Sequence, residues 1–99
     1  MNELNKIHKI IFDAIDVLNE GLDIEKRISK SNDTVLYGTN SRLDSFGLVN
    51  LIITVEEKIQ DETGVALNLA DEKALSRKSS PFLTVGTLSA YIEELLKNT

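Results

Sequence analysis

The sequence predicts an all-α fold, a small helical bundle formed by a single domain over residues 1–99. Three stretches of the chain place apolar residues at helical spacing, and no stretch shows the sustained alternation typical of a strand. The composition is 41% hydrophobic and 27% charged, as in ordinary globular proteins, and a chain of 99 residues can bury one core without disulfides. We therefore expect three main helices, one short helix and a long first loop.

The first helix is predicted from Glu3 to about Asn19, with Gly21 as its C-terminal stop. Its apolar residues recur at the i, i+3, i+4, i+7 spacing of an amphipathic helix. These residues are Leu4, Ile7, Ile11, Ala14, Ile15 and Leu18.

Residues 22–44 lose this period and are rich in Ser, Asn, Asp, Thr and Gly, which predicts a long loop. Ile24 and Ile28 could add one turn of helix. Loops of this length are uncommon in compact domains unless side chains pin them. We expect four residues to pin it by packing onto the core, namely Val35, Leu36, Tyr37 and Leu43.

The second helix is predicted from residue 45 to about residue 62, with Gly64 as its stop. Asp71 could cap a short third helix that ends near Ser76. The last helix is predicted to start near Thr84 and to run to about Leu96. Its apolar face consists of Val85, Leu88, Ile92 and Leu95.

The charge and composition of the chain disfavour several classes of function. Eleven basic and sixteen acidic residues give a net charge of −5, which disfavours nucleic-acid binding and favours a basic protein partner. One His and no Cys predict no metal site. The chain begins with a periodic helix and not with an unbroken apolar stretch, so we expect no signal peptide, no membrane insertion and a cytoplasmic monomer.

Asp44-Ser45-Phe46 places a hydroxyl in the first turn of the second helix. No base or metal ligand is close in sequence, so Ser45 is better interpreted as an attachment point than as a nucleophile. Helix starts favour anions, because free N–H groups and the helix dipole both point there, and a phosphodiester on Ser45 would be stabilised. The simpler alternative is that Asp44 is an ordinary cap and Ser45 an ordinary helix-start residue.

A helical wheel divides the second helix into two apolar regions. The core stripe is predicted to be Leu48, Leu51, Ile52, Val55 and Ile59. Phe46 and Ile53 lie together off that stripe, among Asn50, Glu56, Glu57 and Gln60. An apolar spot with a charged rim is typical of a docking surface. Alternatively, Phe46 packs under the loop, Ile53 contacts the third helix, and the acids are a solvated face.

These motifs together resemble the acyl carrier protein family over nearly the whole chain. Leu43-Asp44-Ser45-Phe46 stands where family members carry an Asp-Ser-Leu-like motif, and Val49-Asn50-Leu51-Ile52 resembles their Val-Glu-Leu-Val segment. Glu56-Glu57-Lys58 resembles the acidic run that follows. The segment from Thr84 to Leu88 is similar to the family's Thr-Val-Gly-Asp start of the last helix, and Leu36-Tyr37 to the pair that anchors the long loop.

The resemblance implies that Ser45, next to Asp44, bears a 4′-phosphopantetheine arm from coenzyme A whose thiol holds acyl groups as thioesters. It implies a carrier and not an enzyme, without catalytic residues, serving lipid or secondary-metabolite synthesis such as fatty acid or polyketide biosynthesis. The partners would be a phosphopantetheinyl transferase and acyl ligases or synthase-type enzymes with basic docking surfaces. The docking residues would be Phe46, Val49, Ile53, Glu56 and Glu57.

The chain departs from the family pattern at Phe46, where Leu is usual, and at Gly47 and Asn50, where acids are frequent. The region around the third helix is longer and more basic than is typical. These departures suggest a specialised carrier. An aminoacyl or peptidyl carrier and an interaction module that never receives the arm stay open as alternatives. A hydrolase would need His8 as its base, and nothing marks a partner to orient it.

Overall fold

The computed structural model describes residues 3–38, 41–69 and 80–97. Within these ranges the chain is all-helical, with α1 at Glu3–Glu20, α2 at Ser45–Thr63, α3 at Val85–Lys97 and a 3₁₀ turn at Ile24–Lys26. The same ranges contain no strand, only an isolated antiparallel bridge between Val35 and Thr84. The all-α prediction is therefore confirmed, whereas the short helix predicted near Asp71 to Ser76 lies outside the described residues.

The core forms where α1 packs against both α2 and α3. Helical spacing aligns apolar side chains on one face of each helix, and burying those faces removes them from water. The predicted core stripe of α2 is confirmed, although Leu48 is only partly buried. The helices contribute the following buried apolar residues: Ile7, Ile10, Ile11, Ala14, Ile15, Leu51, Ile52, Val55, Ile59, Val85, Leu88, Tyr91 and Ile92.

Capping residues set the bounds of α2 and α3. The Asp44 carboxylate accepts a hydrogen bond from the Gly47 N–H, and Gly64 ends α2 in the left-handed region at φ 76°. Thr84 and Thr87 cap α3 reciprocally, because each backbone N–H donates to the other's Oγ1, at 2.9 and 3.1 Å. These hydrogen bonds satisfy N–H groups that a helix start leaves without a partner inside the helix.

The long first loop is held against the start of α3. From the loop, the Leu36 N–H donates to the Leu83 carbonyl. In the other direction, the Val85 N–H donates to the Thr34 carbonyl and the Gly86 N–H donates to the Asn32 carbonyl. Leu36 is buried and Leu43 packs partly against the core, as predicted. The prediction for Tyr37 is wrong, because its side chain is 54% exposed, although its backbone N–H donates to the Leu83 carbonyl.

Ile28 supplies an anchor for the loop that its sequence position did not reveal. The Asn19 side chain holds the Ile28 backbone on both sides, donating to its carbonyl at 2.9 Å and accepting from its N–H at 3.0 Å. The Ile28 side chain is buried as a result, whereas Ile24, in the 3₁₀ turn, is 80% exposed. A single 3₁₀ turn therefore forms at Ile24–Lys26, but it neither includes Ile28 nor buries Ile24.

Among the described residues, no helix is long and apolar enough to cross a membrane.

Candidate attachment site and docking surface

The first turn of α2 is built around residue 45. Asp44 has an extended backbone at φ −83° and ψ 177°, and residue 45 is the first residue of the helix. The Asp44 carbonyl accepts from Leu48, while its carboxylate accepts from Gly47 at 2.7 Å. Residue 45 therefore lies at the positive end of a 19-residue helix, where a covalently attached anion would be stabilised.

Gly47 allows the loop to approach this turn closely. A Cβ at that position would lie 3.3 Å from both Asp44 Oδ1 and Leu43 Cδ2. The Leu43 N–H donates to Ser41 Oγ at 3.0 Å, which fixes the chain just before the cap. The sequence indicated Gly47 only as a departure from the family's acids. The structure shows that the glycine also makes room for the capping residue and its neighbour.

Three apolar side chains of α2 face away from the core. Phe46 is 77% exposed, Val49 is 53% exposed and Ile53 is 46% exposed. Helical spacing puts all three on one side of the helix, and we call them the exposed strip. The alternative in which Phe46 packs under the loop is wrong. Large apolar side chains left in water together are unusual on a monomer and typical of an interaction surface.

The two acids predicted to border the exposed strip differ in their surroundings. Glu57 is exposed to solvent. Glu56 is half-buried, and its Oε2 accepts a hydrogen bond from the Leu69 N–H at 2.7 Å. Glu56 therefore ties the segment after α2 to the middle of that helix. Helical periodicity could not reveal this contact, because it depends on where the chain returns after Gly64.

An open groove of about 490 Å³ lies between the end of α1 and the start of α2. The residues that line it are Val17, Leu18, Gly21, Leu22, Asp44, Phe46, Gly47, Asn50 and Thr54. Asp44 and Phe46, the two chain neighbours of residue 45, both belong to this lining. No sequence pattern predicted the groove, although two departures from the family pattern, Gly47 and Asn50, contribute to it.

A second cleft, of about 290 Å³, lies within the loop and includes Arg27 and Arg42. Both guanidinium groups donate to backbone carbonyls of the same loop. Arg27 Nε donates to Leu22 at 3.1 Å, and Arg42 Nη1 donates to Glu25 at 3.3 Å. These arginines hold the loop together, a role that their isolated sequence positions did not indicate.

His8 is the one histidine of the chain and the one residue considered as a catalytic base. His8 is half-buried on α1, and its ring stacks on that of Phe12 with centroids 6.1 Å apart. That stacking gives His8 a packing role. Within residues 3–38, 41–69 and 80–97, no group of three or more His, Asp or Glu side chains could hold a metal ion.

No protein-family model matches the chain, and neither a curated protein nor a solved structure shows significant similarity to it. The resemblance to acyl carrier proteins therefore depends on the motifs of this chain alone.

Proposed function

We propose that the protein is an acyl carrier in which Ser45 bears a 4′-phosphopantetheine arm. The observation that carries this proposal is the start of α2, where residue 45 stands directly between an Asp44 cap and the exposed Phe46. The order of the three helices and the long pinned loop support it, because both agree with what the family resemblance of the sequence implies. The arm would supply a mobile thiol that holds acyl groups as thioesters.

The residues around position 45 fit such a group. The helix dipole favours the phosphodiester, and the Asp44 carboxylate is already engaged by the Gly47 N–H. Gly47 adds no side chain to the surface next to the attachment residue. The open groove and the exposed strip, which share Phe46, leave room for the arm and for a partner enzyme.

The exposed strip supports docking of partner enzymes through the same helix. Phe46, Val49 and Ile53 offer apolar contact, and Glu57 adds a solvent-exposed negative charge. A net charge of −5 favours partners with basic surfaces, such as a phosphopantetheinyl transferase and acyl ligases or synthase-type enzymes. Gly47 and Asn50 make the surface near Ser45 less negative, which favours a specialised carrier over a general fatty-acid carrier.

An interaction module without the arm is the second candidate, and the exposed strip would serve it equally well. Aminoacyl and peptidyl carriers share the arm and differ only in cargo. The presence of the arm on Ser45 therefore separates the carriers from the module. Loading trials with candidate ligases then separate one carrier class from another.

The proposal is tested by intact mass after incubation with coenzyme A and each of several phosphopantetheinyl transferases. The reaction breaks the phosphoanhydride bond of coenzyme A and forms a bond from Ser45 Oγ to the pantetheine-side phosphorus. Adenosine 3′,5′-bisphosphate leaves, and the hydroxyl proton passes to a base of the transferase. We expect a mass increase of one phosphopantetheine group.

Two variants make this test specific. Ser45→Ala should remain unmodified, whereas Ser29→Ala, which removes an exposed hydroxyl elsewhere in the long loop, should be modified like the parent chain. Circular dichroism establishes that both variants are folded. A parent chain that stays unmodified by transferases active on a known carrier would favour the interaction module instead.

A further inference from the structure

We propose that the groove between α1 and α2 is the resting site of the arm itself. This inference depends on the proposed function and goes beyond it, because it says where the arm lies between visits to partner enzymes. It assigns the groove to the pantetheine part of the arm and not to the acyl cargo. The groove reaches the start of α2, since Asp44 and Phe46, the two chain neighbours of position 45, belong to its lining.

The chemistry of the lining matches the arm. The pantetheine part of the arm carries two methyl groups on one carbon, a hydroxyl and two amides. The only charge of the arm is on its phosphate. Val17 and Leu18 at the end of α1, Leu22 just after it, and Phe46 provide apolar walls. Methyl groups placed against these walls would leave water, which is the main favourable term for such contacts.

Polar groups of α2 complete the groove. The Asn50 side chain is exposed and carries both hydrogen-bond donors and an acceptor, so it can pair with an amide of the arm. The Thr54 hydroxyl donates to the Asn50 carbonyl at 2.9 Å and keeps its capacity to accept. Asp44 is the only charged residue in the lining, and its Oδ1 accepts from Gly47. A neutral amphipathic ligand fits this lining better than a charged one.

Gly47 and Asn50 keep the groove open near the start of α2 and add no charge beyond that of Asp44. Gly47 adds no side chain, and Asn50 contributes an amide where an acid would add a charge. The volume of about 490 Å³ is within the usual range for small-molecule sites. A short tether also raises the local concentration of the arm to roughly millimolar, so weak contacts are enough to hold it.

Phe46 couples the groove to docking, because it lines the groove and also belongs to the exposed strip. A partner enzyme that contacts Phe46 would disturb one wall of the groove. Docking and release of the arm are thereby linked through a single side chain.

The inference is tested by comparing backbone amide NMR shifts of the apo and holo proteins, with no acyl group loaded. We expect shift changes along the groove at Val17, Gly21, Leu22 and Thr54, and nuclear Overhauser contacts between the arm methyls and Val17. Shift changes confined to residues 44–47 would overturn the inference, since they would show only the attachment itself.

Two groove variants and one control complete the experiment. Val17→Trp should fill the groove, and Asn50→Glu should charge it, so either change should reduce the holo-dependent shifts at Leu22 at least twofold. Lys9→Trp adds a tryptophan at an exposed position of α1, outside both the groove lining and the exposed strip, and should leave those shifts unchanged. Undiminished shifts in a folded groove variant would also overturn the inference.

Intact mass, recorded before the NMR spectra, separates this inference from the proposed function. A protein that does not accept the arm contradicts both. A protein that accepts the arm but shows no change at the groove contradicts only the resting site.

Discussion

Asp44 stabilises the start of α2 through one short hydrogen bond to the Gly47 N–H. We expect Asp44→Ala to lower the free energy of unfolding by about 1 kcal/mol, as is typical when a helix loses its N-cap. Asp44→Asn keeps a good capping side chain and should cost only a small fraction of that. Urea unfolding of the three proteins measures the difference. Equal stability of Asp44→Ala and the parent chain would contradict the capping role.

Gly86 lies where the loop closely approaches the start of α3. A Cβ at this position would lie 2.9 Å from Asn32 Nδ2 and 3.0 Å from its Oδ1, and the Gly86 N–H donates to the Asn32 carbonyl at 2.8 Å. A side chain at this position of the Thr-Val-Gly motif would therefore require the end of the exposed Asn32 side chain to move.

A double-mutant cycle tests this explanation for Gly86. Replacing Gly by Ala in a helix normally stabilises by roughly 0.5–1 kcal/mol, and Gly86→Ala should fall short of this gain because the Asn32 side chain must move. In an Asn32→Ala background the same change should give the full gain, because the contacting atoms are gone. Denaturant unfolding of the four proteins gives the coupling free energy between positions 32 and 86. Additive effects would show that Asn32 is not the obstacle.

At the scale of elements, the sequence predicted the helices well because their signals are local. Helical spacing marked the buried faces, and Asp44, Gly64 and Thr84 marked ends that the structure places within one or two residues of the prediction. The wheel also separated Phe46 from the core stripe, as its exposure confirms.

The loop and the groove were harder to predict because they depend on long-range contacts. Leu36 and Tyr37 are adjacent and both apolar or aromatic, yet one is buried and the other exposed. Their difference follows from how the loop aligns with Leu83 and Thr84, which no local pattern specifies. The groove likewise requires the end of α1 to lie beside the start of α2.

Glu56 links α2 to the segment that follows it, and this role can be separated from docking. Glu56→Ala should speed hydrogen exchange at the Leu69 amide about tenfold, since a hydrogen bond to a charged group contributes roughly 1.5 kcal/mol. Glu56→Gln retains an acceptor and should protect that amide more than alanine does. Hydrogen exchange followed by NMR measures both rates. Unchanged exchange in Glu56→Ala would contradict the structural role.

At the scale of the whole molecule, the proposed docking surface combines apolar contact with negative charge. We expect Ile53→Ala to lower kcat/KM for the transferase at all salt concentrations. Glu57→Gln should lower it about two- to fivefold in dilute buffer and hardly at all at about 0.5 M salt, where exposed charges are screened. Steady-state kinetics at two salt concentrations measures both effects.

Glu25→Gln is the matched control for the charge change, because Glu25 is an exposed acid on the 3₁₀ turn. It should leave transferase kinetics close to those of the parent chain. An equal loss of rate in Glu25→Gln and Glu57→Gln would indicate that overall charge, and not the surface of α2, guides the encounter.

The most direct test of the carrier function is peptide mapping after reaction with a transferase and coenzyme A. Trypsin cleaves after Arg42 and Lys58, and the resulting peptide of residues 43–58 contains Ser45 as its only serine and Thr54 as its only threonine. We predict that this peptide gains one phosphopantetheine group and that fragmentation locates the group on Ser45. A phosphopantetheine group on Thr54 or on another peptide would contradict the account. The absence of modification under conditions that fully modify a known carrier would contradict it as well.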